Sequence, residues 1–168
     1  MRKIIFQISL AVFLFTAFFA TAQTDSVKTY TVDKVVNCNK NVDWTYETKK
    51  VSADEYDIIF TANIAKGWHL YGTKEVTDQI PVPTKFTFNK SNDVQLVGDL
   101  TESTPAQVKY DSTSQMKLYL FENKATFTQR IKLLNPMTLF NADVFFMLCN
   151  VRMCMPPCNT YFNIAFVK

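Results

Sequence analysis

The stretch YDIIFTANI, residues 56–64, decides the fold of this chain. Apolar side chains occupy every second position from Tyr56 to Ile64, and mostly polar side chains alternate with them. Because successive side chains of a β-strand point to opposite faces, this period of two predicts a strand with one buried face. The same period recurs at residues 125–133 and 161–167. We therefore expect a chain built from half-buried strands.

Shorter strands are predicted on both sides of this stretch, at residues 68–71, 86–88, 94–97, 116–121 and 144–148. Residues 98–115 are rich in Gly, Ser, Thr, Asp and Pro, and are predicted to form a long loop of the kind that often carries function. About eight strands without a convincing helix predict an all-β fold, an immunoglobulin-like β-sandwich.

The N-terminal segment has the three parts of a signal peptide. Arg2 and Lys3 are basic, residues 4–19 are almost wholly apolar, and Ala-Thr-Ala follows at residues 20–22. This pattern predicts cleavage after Ala22. The apolar run is shorter than the roughly 20 residues that span a bilayer, which argues against a permanent anchor. Residues 23–168 are then expected to form a single domain outside the cytoplasm.

The charge balance does not indicate a nucleic-acid partner. The net charge is +3, and it falls to +1 without the predicted signal peptide's Arg2 and Lys3. No block of like charge is present. The three glycines, Gly67, Gly72 and Gly98, are too scattered for a phosphate loop, and one His leaves no zinc spacing. We expect no nucleic acid, no metal and no cofactor.

The four cysteines all lie in the predicted mature chain, and three of them fall within residues 149–158. Thiols of exported proteins are usually paired. Cys149 ends an apolar strand and Cys154 follows a four-residue loop, so a hairpin here would bring them within disulfide distance. A bond closing so short a loop restrains the unfolded chain little, but at an exposed tip it is well placed for exchange. A plain hairpin clip and an exchanging pair both stay open.

The cysteine segment resembles a known family. CNVRMCMPP at residues 149–157, followed by FNI at 162–164, resembles the active-site hairpin of the periplasmic N-terminal domain of the thiol–disulfide interchange protein DsbD. GWHLY at residues 67–71 is similar to that domain's aromatic strand, and FENKATFTQ at 121–129 also has the family's pattern. The resemblance runs from about Val42 to Phe166, nearly all of the predicted mature chain.

The resemblance implies an immunoglobulin-like fold, a periplasmic location and a redox role for Cys149 and Cys154. Cys154 would form mixed disulfides with partners, and Cys149 would resolve them. The domain would relay electrons between a thioredoxin-like donor and thioredoxin-like acceptors. His69 and Tyr71 match positions beside the site, and Tyr110 is the expected aromatic contact of a cap loop that shields the cysteines.

Two features of the chain lie outside the family's motif, and one residue inside the motif has two possible roles. The chain ends at Lys168, without the membrane and thioredoxin domains of the full-length family member, so a separate membrane electron-transfer protein is an expected partner. Cys38 and Cys158 are expected to form a structural disulfide that closes a very long loop, whereas a competing interpretation makes Cys158 a third redox thiol. Arg152 either favours a thiolate through its charge or is a solvated loop residue.

Two other functions are compatible with the sequence. Met147, Met153 and Met155 crowd the cysteine segment, and soft thioether and thiolate ligands select Cu(I), so an exported copper carrier is one alternative. The other is an immunoglobulin-like binding module with two structural disulfides. An easily reduced bond would favour the exchange function. Binding of Cu(I) would favour the copper carrier, and two bonds that resist reduction would favour the binding module. Whether an exchange domain catalyses turnover or only carries electrons is not decided by the sequence.

Overall fold

The computed structural model describes residues 38–74, 81–89, 91–112, 115–135 and 137–167, and the predicted signal peptide, residues 1–22, lies outside them. These residues contain eleven strands and no helix, which confirms the all-β prediction. The strands are β1 (Val42–Lys50), β2 (Glu55–Ile64), β3 (His69–Tyr71), β4 (Lys85–Phe88), β5 (Val94–Glu102), β6 (Gln107–Asp111), β7 (Met116–Glu122), β8 (Lys124–Leu133), β9 (Met137–Phe146), β10 (Leu148–Cys149) and β11 (Cys158–Val167).

The strands pair into three antiparallel sheets. Sheet I has the order β1-β2-β8-β5, sheet II the order β10-β3-β7-β6, and sheet III the order β11-β9-β4. β7 of sheet II leads directly into β8 of sheet I through Asn123, whose φ is 65°. Asn tolerates this left-handed conformation better than most residues, so the turn can be a single residue long. Sheet II is thereby held against sheet I by the chain itself.

An aromatic core fills the space between sheet I and sheet III. The Phe60 ring of β2 lies 4.9 Å from the Phe162 ring of β11 and 5.1 Å from the Phe86 ring of β4, centroid to centroid. Trp44 of β1 packs against Phe146 of β9 at 5.5 Å. The predicted alternation is confirmed, because the apolar positions of 56–64, 125–133 and 162–166 are the buried ones. The fold is the predicted immunoglobulin-like β-sandwich.

The prediction of a long loop at residues 98–115 is wrong. β5 runs through Gly98 to Glu102, and β6 follows at Gln107–Asp111. The pairing of β5 with β8 shifts register between Val97 and Thr101, and Gly98 within this irregularity has a φ of 68°. β5 and β6 are edge strands of sheets I and II, and an edge strand carries polar side chains without penalty. Because of this polar composition, the sequence analysis missed the second part of β5 and the whole of β6.

Sheet II presents two different faces. Leu70, Phe121 and Leu148 belong to the main hydrophobic core, so one face packs inward. The neighbouring positions Tyr71, Leu120, Met147 and Cys149 form a second, smaller buried cluster. Because side chains alternate along each strand, this cluster lies on the opposite face of the sheet. One of the predicted redox cysteines therefore lies on the outward face of sheet II.

Within the described residues, no helical segment has the length and apolarity that a membrane crossing requires.

Candidate functional site

The segment between β10 and β11 folds back on itself as a tight hairpin. The Met155 N–H donates to the Leu148 carbonyl at 2.8 Å, and the Asn150 N–H donates to the Met153 carbonyl at 2.9 Å. Cys149 and Cys154 pair between these two bonds as an isolated antiparallel bridge. The Asn150 side-chain oxygen also accepts hydrogen bonds from the backbone N–H groups of Arg152 and Met153, at 2.8 and 2.9 Å. The hairpin predicted from the cysteine spacing is therefore present.

The bridge carries a disulfide between Cys149 and Cys154. Their Cα atoms are 4.0 Å apart, just below the usual disulfide range of about 4.4–6.8 Å. Cys149 is 2% exposed within the cluster of Tyr71 and Met147, whereas Cys154 is exposed. Val151 and Met153 in the turn between them are 98% and 53% exposed. A disulfide reagent or partner thiol can therefore reach Cys154 without opening the core.

The strand register places His69 beside the buried cysteine. Cys149 of β10 is opposite His69 of β3, and His69 is opposite Glu122 of β7. Directly opposed residues of antiparallel strands point to the same face of their sheet. The next position of β3 on that face is Tyr71, whose hydroxyl lies 3.2 Å from Nε2 of His69. The structure thus places Cys149, His69 and Tyr71 on one face of sheet II.

The electrostatics around His69 favour a neutral imidazole. Burial lowers the pKa of His69, the positive charge of Lys109 lowers it further, and Glu122 opposes them. Lys109 is itself bound to Glu122 at 2.9 Å, and this hydrogen bond lowers the pKa of the Glu122 carboxyl. Burial raises the pKa of Tyr71, and Asp111 adds to that rise, so the phenol keeps its proton.

Tyr110 and Arg152 do not join this group. Tyr110 lies on β6 opposite Lys117, one residue out of phase with the Leu118 and Leu120 positions that share the face of Cys149. It is 64% exposed on the other face of sheet II. Arg152 is exposed in the hairpin turn, where its backbone N–H supports the turn.

The other two cysteines form a second disulfide, which joins residues much farther apart in the chain than the first one does. Cys38 and Cys158 are bonded with their Cα atoms 6.0 Å apart across a separation of 120 residues. This is the pairing that the sequence favours. Since Cys158 begins β11, the bond attaches the segment before β1 to sheet III. All four cysteines of the chain are therefore in disulfides.

The methionines that suggested copper are spread between core and solvent. Met147 is 3% exposed in the buried cluster with Cys149, whereas Met153 is more than half exposed in the turn. Within the described part of the chain, no three His, Cys, Asp or Glu side chains come together as a metal-binding group.

Three charged residues near the site were not predicted. Glu122 lies opposite His69, Lys109 binds Glu122, and Asp111 acts on Tyr71. Alternation in β7 could have placed Glu122 on the same face as Leu120. Its position opposite His69 could not be predicted, because it depends on the pairing of strands that are far apart in the sequence. Lys109 and Asp111 were hidden because their strand was predicted to be a loop.

Taken together, the fold and the site define a class of protein: an immunoglobulin-like domain whose short-loop disulfide joins one buried and one exposed cysteine. The chain matches the family described as "Thiol:disulfide interchange protein DsbD, N-terminal" over residues 41–165, and it belongs to that family.

Solved structures that resemble this fold include the N-terminal domains of two other proteins. The N-terminal periplasmic domain of ScsB from Proteus mirabilis superposes with a TM-score of 0.55 at 14% identity, over 75% of this chain and 47% of that one. The N-terminal domain of Neisseria meningitidis DsbD in the reduced form superposes with a TM-score of 0.50 at 17% identity, over 76% of this chain and 86% of that one. The chain thus spans about half the length of the ScsB domain. No curated protein matches it.

Proposed function

We propose that this protein is a thiol–disulfide exchange domain that relays electrons through Cys149 and Cys154 between thioredoxin-like partners. The observation that carries the proposal is the unequal exposure of a disulfide that closes a short turn, with Cys149 buried and Cys154 exposed. In thiol–disulfide exchange a partner attacks an accessible sulfur, and the second cysteine then resolves the mixed disulfide. Cys154 fits the first role and Cys149 the second.

The setting of the hairpin supports a docking role for its tip. Val151 and Met153 present apolar side chains to solvent on either side of Arg152, next to the exposed Cys154. A partner that buries these side chains brings its own sulfur to Cys154. Membership of the thiol–disulfide interchange family supports the same role.

We place the domain in the periplasm. The predicted signal peptide ending at Ala22 and the periplasmic description of the ScsB domain support this location. A separate membrane protein is the proposed source of electrons, through a thioredoxin-like donor.

A redox titration tests the proposal. The mature protein is equilibrated in glutathione buffers of graded potential, free thiols are trapped by alkylation, and each cysteine is scored by peptide mass spectrometry. We expect Cys149 and Cys154 to become reduced together at a potential above the roughly −300 mV of structural bonds, while Cys38–Cys158 stays oxidised. The double variant Cys149→Ser/Cys154→Ser is the matched control and should release no free thiol in this range of potentials.

If neither bond opens in these buffers, exchange is excluded and a binding module held by two disulfides is the better interpretation.

The choice of partner is tested by trapping mixed disulfides. Cys149→Ser should accumulate a mixed disulfide between Cys154 and an oxidised thioredoxin-like protein, whereas Cys154→Ser should not. Equal trapping by both variants would contradict the assignment of Cys154 as the entry point.

A further inference from the structure

The register of sheet II sets one imidazole against the resolving cysteine. Cys149, His69 and Glu122 form a row across three adjacent strands. Side chains directly opposed across an antiparallel pair have Cβ atoms about 4.5–5.5 Å apart. His69 is half-buried, and it is the single His of the chain. Its ring therefore flanks Cys149 on the side away from the hairpin turn.

The groups around His69 keep it ready to accept a proton. Tyr71, on the same strand, contacts Nε2 at 3.2 Å and holds the ring edge-on, with centroids 5.3 Å apart. The register places Glu122 of β7 and Cys149 of β10 opposite His69 on the same face of sheet II, and the charge of Lys109 on β6 acts on the ring. Lys109 and Glu122 are paired with each other, and their charges act on the imidazole in opposite directions. Burial and Lys109 together lower the pKa of His69, so the ring is neutral near neutral pH.

We propose that His69 is the proton acceptor for Cys149 during the resolving step. The inference rests on the exchange function proposed above. The state before this step is a mixed disulfide between Cys154 and a partner sulfur, with Cys149 as a buried thiol. Burial in apolar surroundings disfavours a thiolate, so Cys149 needs a base beside it.

The step balances as follows in atoms and electrons. In this step the Nε2–H of His69 donates to the Tyr71 hydroxyl, so that Nδ1 is the free acceptor. The Cys149 thiol gives its proton to Nδ1 of His69, and the sulfur electron pair attacks the Cys154 sulfur. The bond between Cys154 and the partner sulfur breaks, and its electron pair leaves with the partner sulfur. The partner thiolate then takes a proton, which His69 returns. The products are the Cys149–Cys154 disulfide and a partner thiol, and no outside oxidant is consumed.

The two stages of exchange can be timed separately with dithiodipyridine, an aromatic disulfide that releases a coloured thione. The mature protein is used with only the Cys149–Cys154 bond reduced. Attack by Cys154 releases the first thione, and attack by Cys149 on the resulting mixed disulfide releases the second. Stopped-flow absorbance follows both releases over a pH series. Cys149→Ser, which should release one thione only, identifies the second release with Cys149.

We expect His69→Gln to slow the second release by about tenfold or more near neutral pH and to leave the first release unchanged. His69→Phe keeps a ring but has no base, and it should slow the second release to a similar extent. Agreement between the two variants shows that the effect is not due to lost packing in one of them. In both variants the pH profile of the second release should lose the inflection that His69 contributes and should rise only as Cys149 ionises, so that the rates converge with wild type at alkaline pH.

If both variants match wild type at every pH, His69 is not the acceptor and the inference is overturned, while two thiones from wild type still support exchange. If wild type releases only one thione, Cys149 does not resolve mixed disulfides. The proposed exchange function then fails together with the inference.

Discussion

At the scale of single residues, the site depends on the difference between two cysteines five positions apart. Cys149 ends a strand whose neighbours bury it, and Cys154 follows a turn that Asn150 closes with its side chain. Asn is suited to this position because its amide oxygen accepts backbone N–H groups two and three residues ahead. The same short segment thus supplies one sulfur to the solvent and one to the interior.

This difference predicts unequal thiol reactivity in the folded protein. In Cys149→Ser, the remaining Cys154 is exposed and should react with iodoacetamide at least about ten times faster than Cys149 does in Cys154→Ser, because burial both shields the thiol and disfavours its thiolate. Mass spectrometry of timed samples measures both rates. The two variants should react equally in denaturant, and equal rates under native conditions would contradict the assigned exposure.

His69 predicts a pH dependence of stability. Its pKa in the folded protein lies below the ordinary value of 6.5, so near that value the unfolded chain binds the proton more readily than the folded chain. The contribution of His69 is complete above the ordinary value and is lost as the pH falls through the lowered pKa. We expect His69→Gln to lose less unfolding free energy than wild type between about pH 7.5 and pH 5, as measured by urea denaturation. Parallel losses would show that His69 does not titrate differently on folding.

At the scale of strands and sheets, the sandwich is held together by aromatic rings from sheet I and sheet III. Phe60 in β2 contacts Phe86 and Phe88 of β4 and Phe162 of β11, at centroid distances of 5.1, 6.3 and 4.9 Å. It is fully buried, and its contacts join sheet I to both outer strands of sheet III. Sheet II depends on this packing because its inner face shares the same core.

Phe60→Ala should therefore be strongly destabilising. We expect a loss of about 3–5 kcal/mol in the free energy of unfolding, from lost burial and the cavity left behind. Leu139→Ala is the matched control, since Leu139 lies in β9 but is 53% exposed, and should change stability by no more than about 0.5 kcal/mol. Urea denaturation measures both. Similar losses in the two variants would mean that the aromatic core does not hold the sheets together.

At the scale of the whole molecule, the two disulfides have different positions in the chain. Cys38–Cys158 joins residues 120 positions apart, whereas Cys149–Cys154 joins residues five apart. The entropy removed from the unfolded chain grows with the length of the closed loop. The first bond therefore fits a structural role, and the second can open and close at smaller cost to the fold.

The two bonds should therefore contribute differently to the free energy of unfolding. Replacing Cys38 and Cys158 by Ser should lower the free energy of unfolding by about 5 kcal/mol, against about 2 kcal/mol for the same replacement of Cys149 and Cys154. Urea denaturation of both double variants under oxidising conditions measures the difference. An equal or larger loss from the short-loop pair would contradict the division of roles.

Much of the fold could be predicted because alternation is a local property. Residues 56–64 and 125–133 show their buried face in the order of their side chains, and the structure buries those positions. The prediction failed at the second part of β5 and at β6, because edge strands exposed to water resemble loops in composition. The cysteine hairpin could be predicted for the same local reason, since Cys149 and Cys154 are separated by a single turn.

The sequence by itself determined the all-β class, the buried faces of the long strands and the hairpin that pairs Cys149 with Cys154. Only the tertiary structure decided that His69 lies opposite Cys149, that Glu122 follows in the same row, and that Tyr110 lies on the other face of sheet II. The physical reason is that alternation depends on neighbours in the chain. Strand register depends on hydrogen bonds between residues far apart, and a shift of one residue moves every side chain to the opposite face.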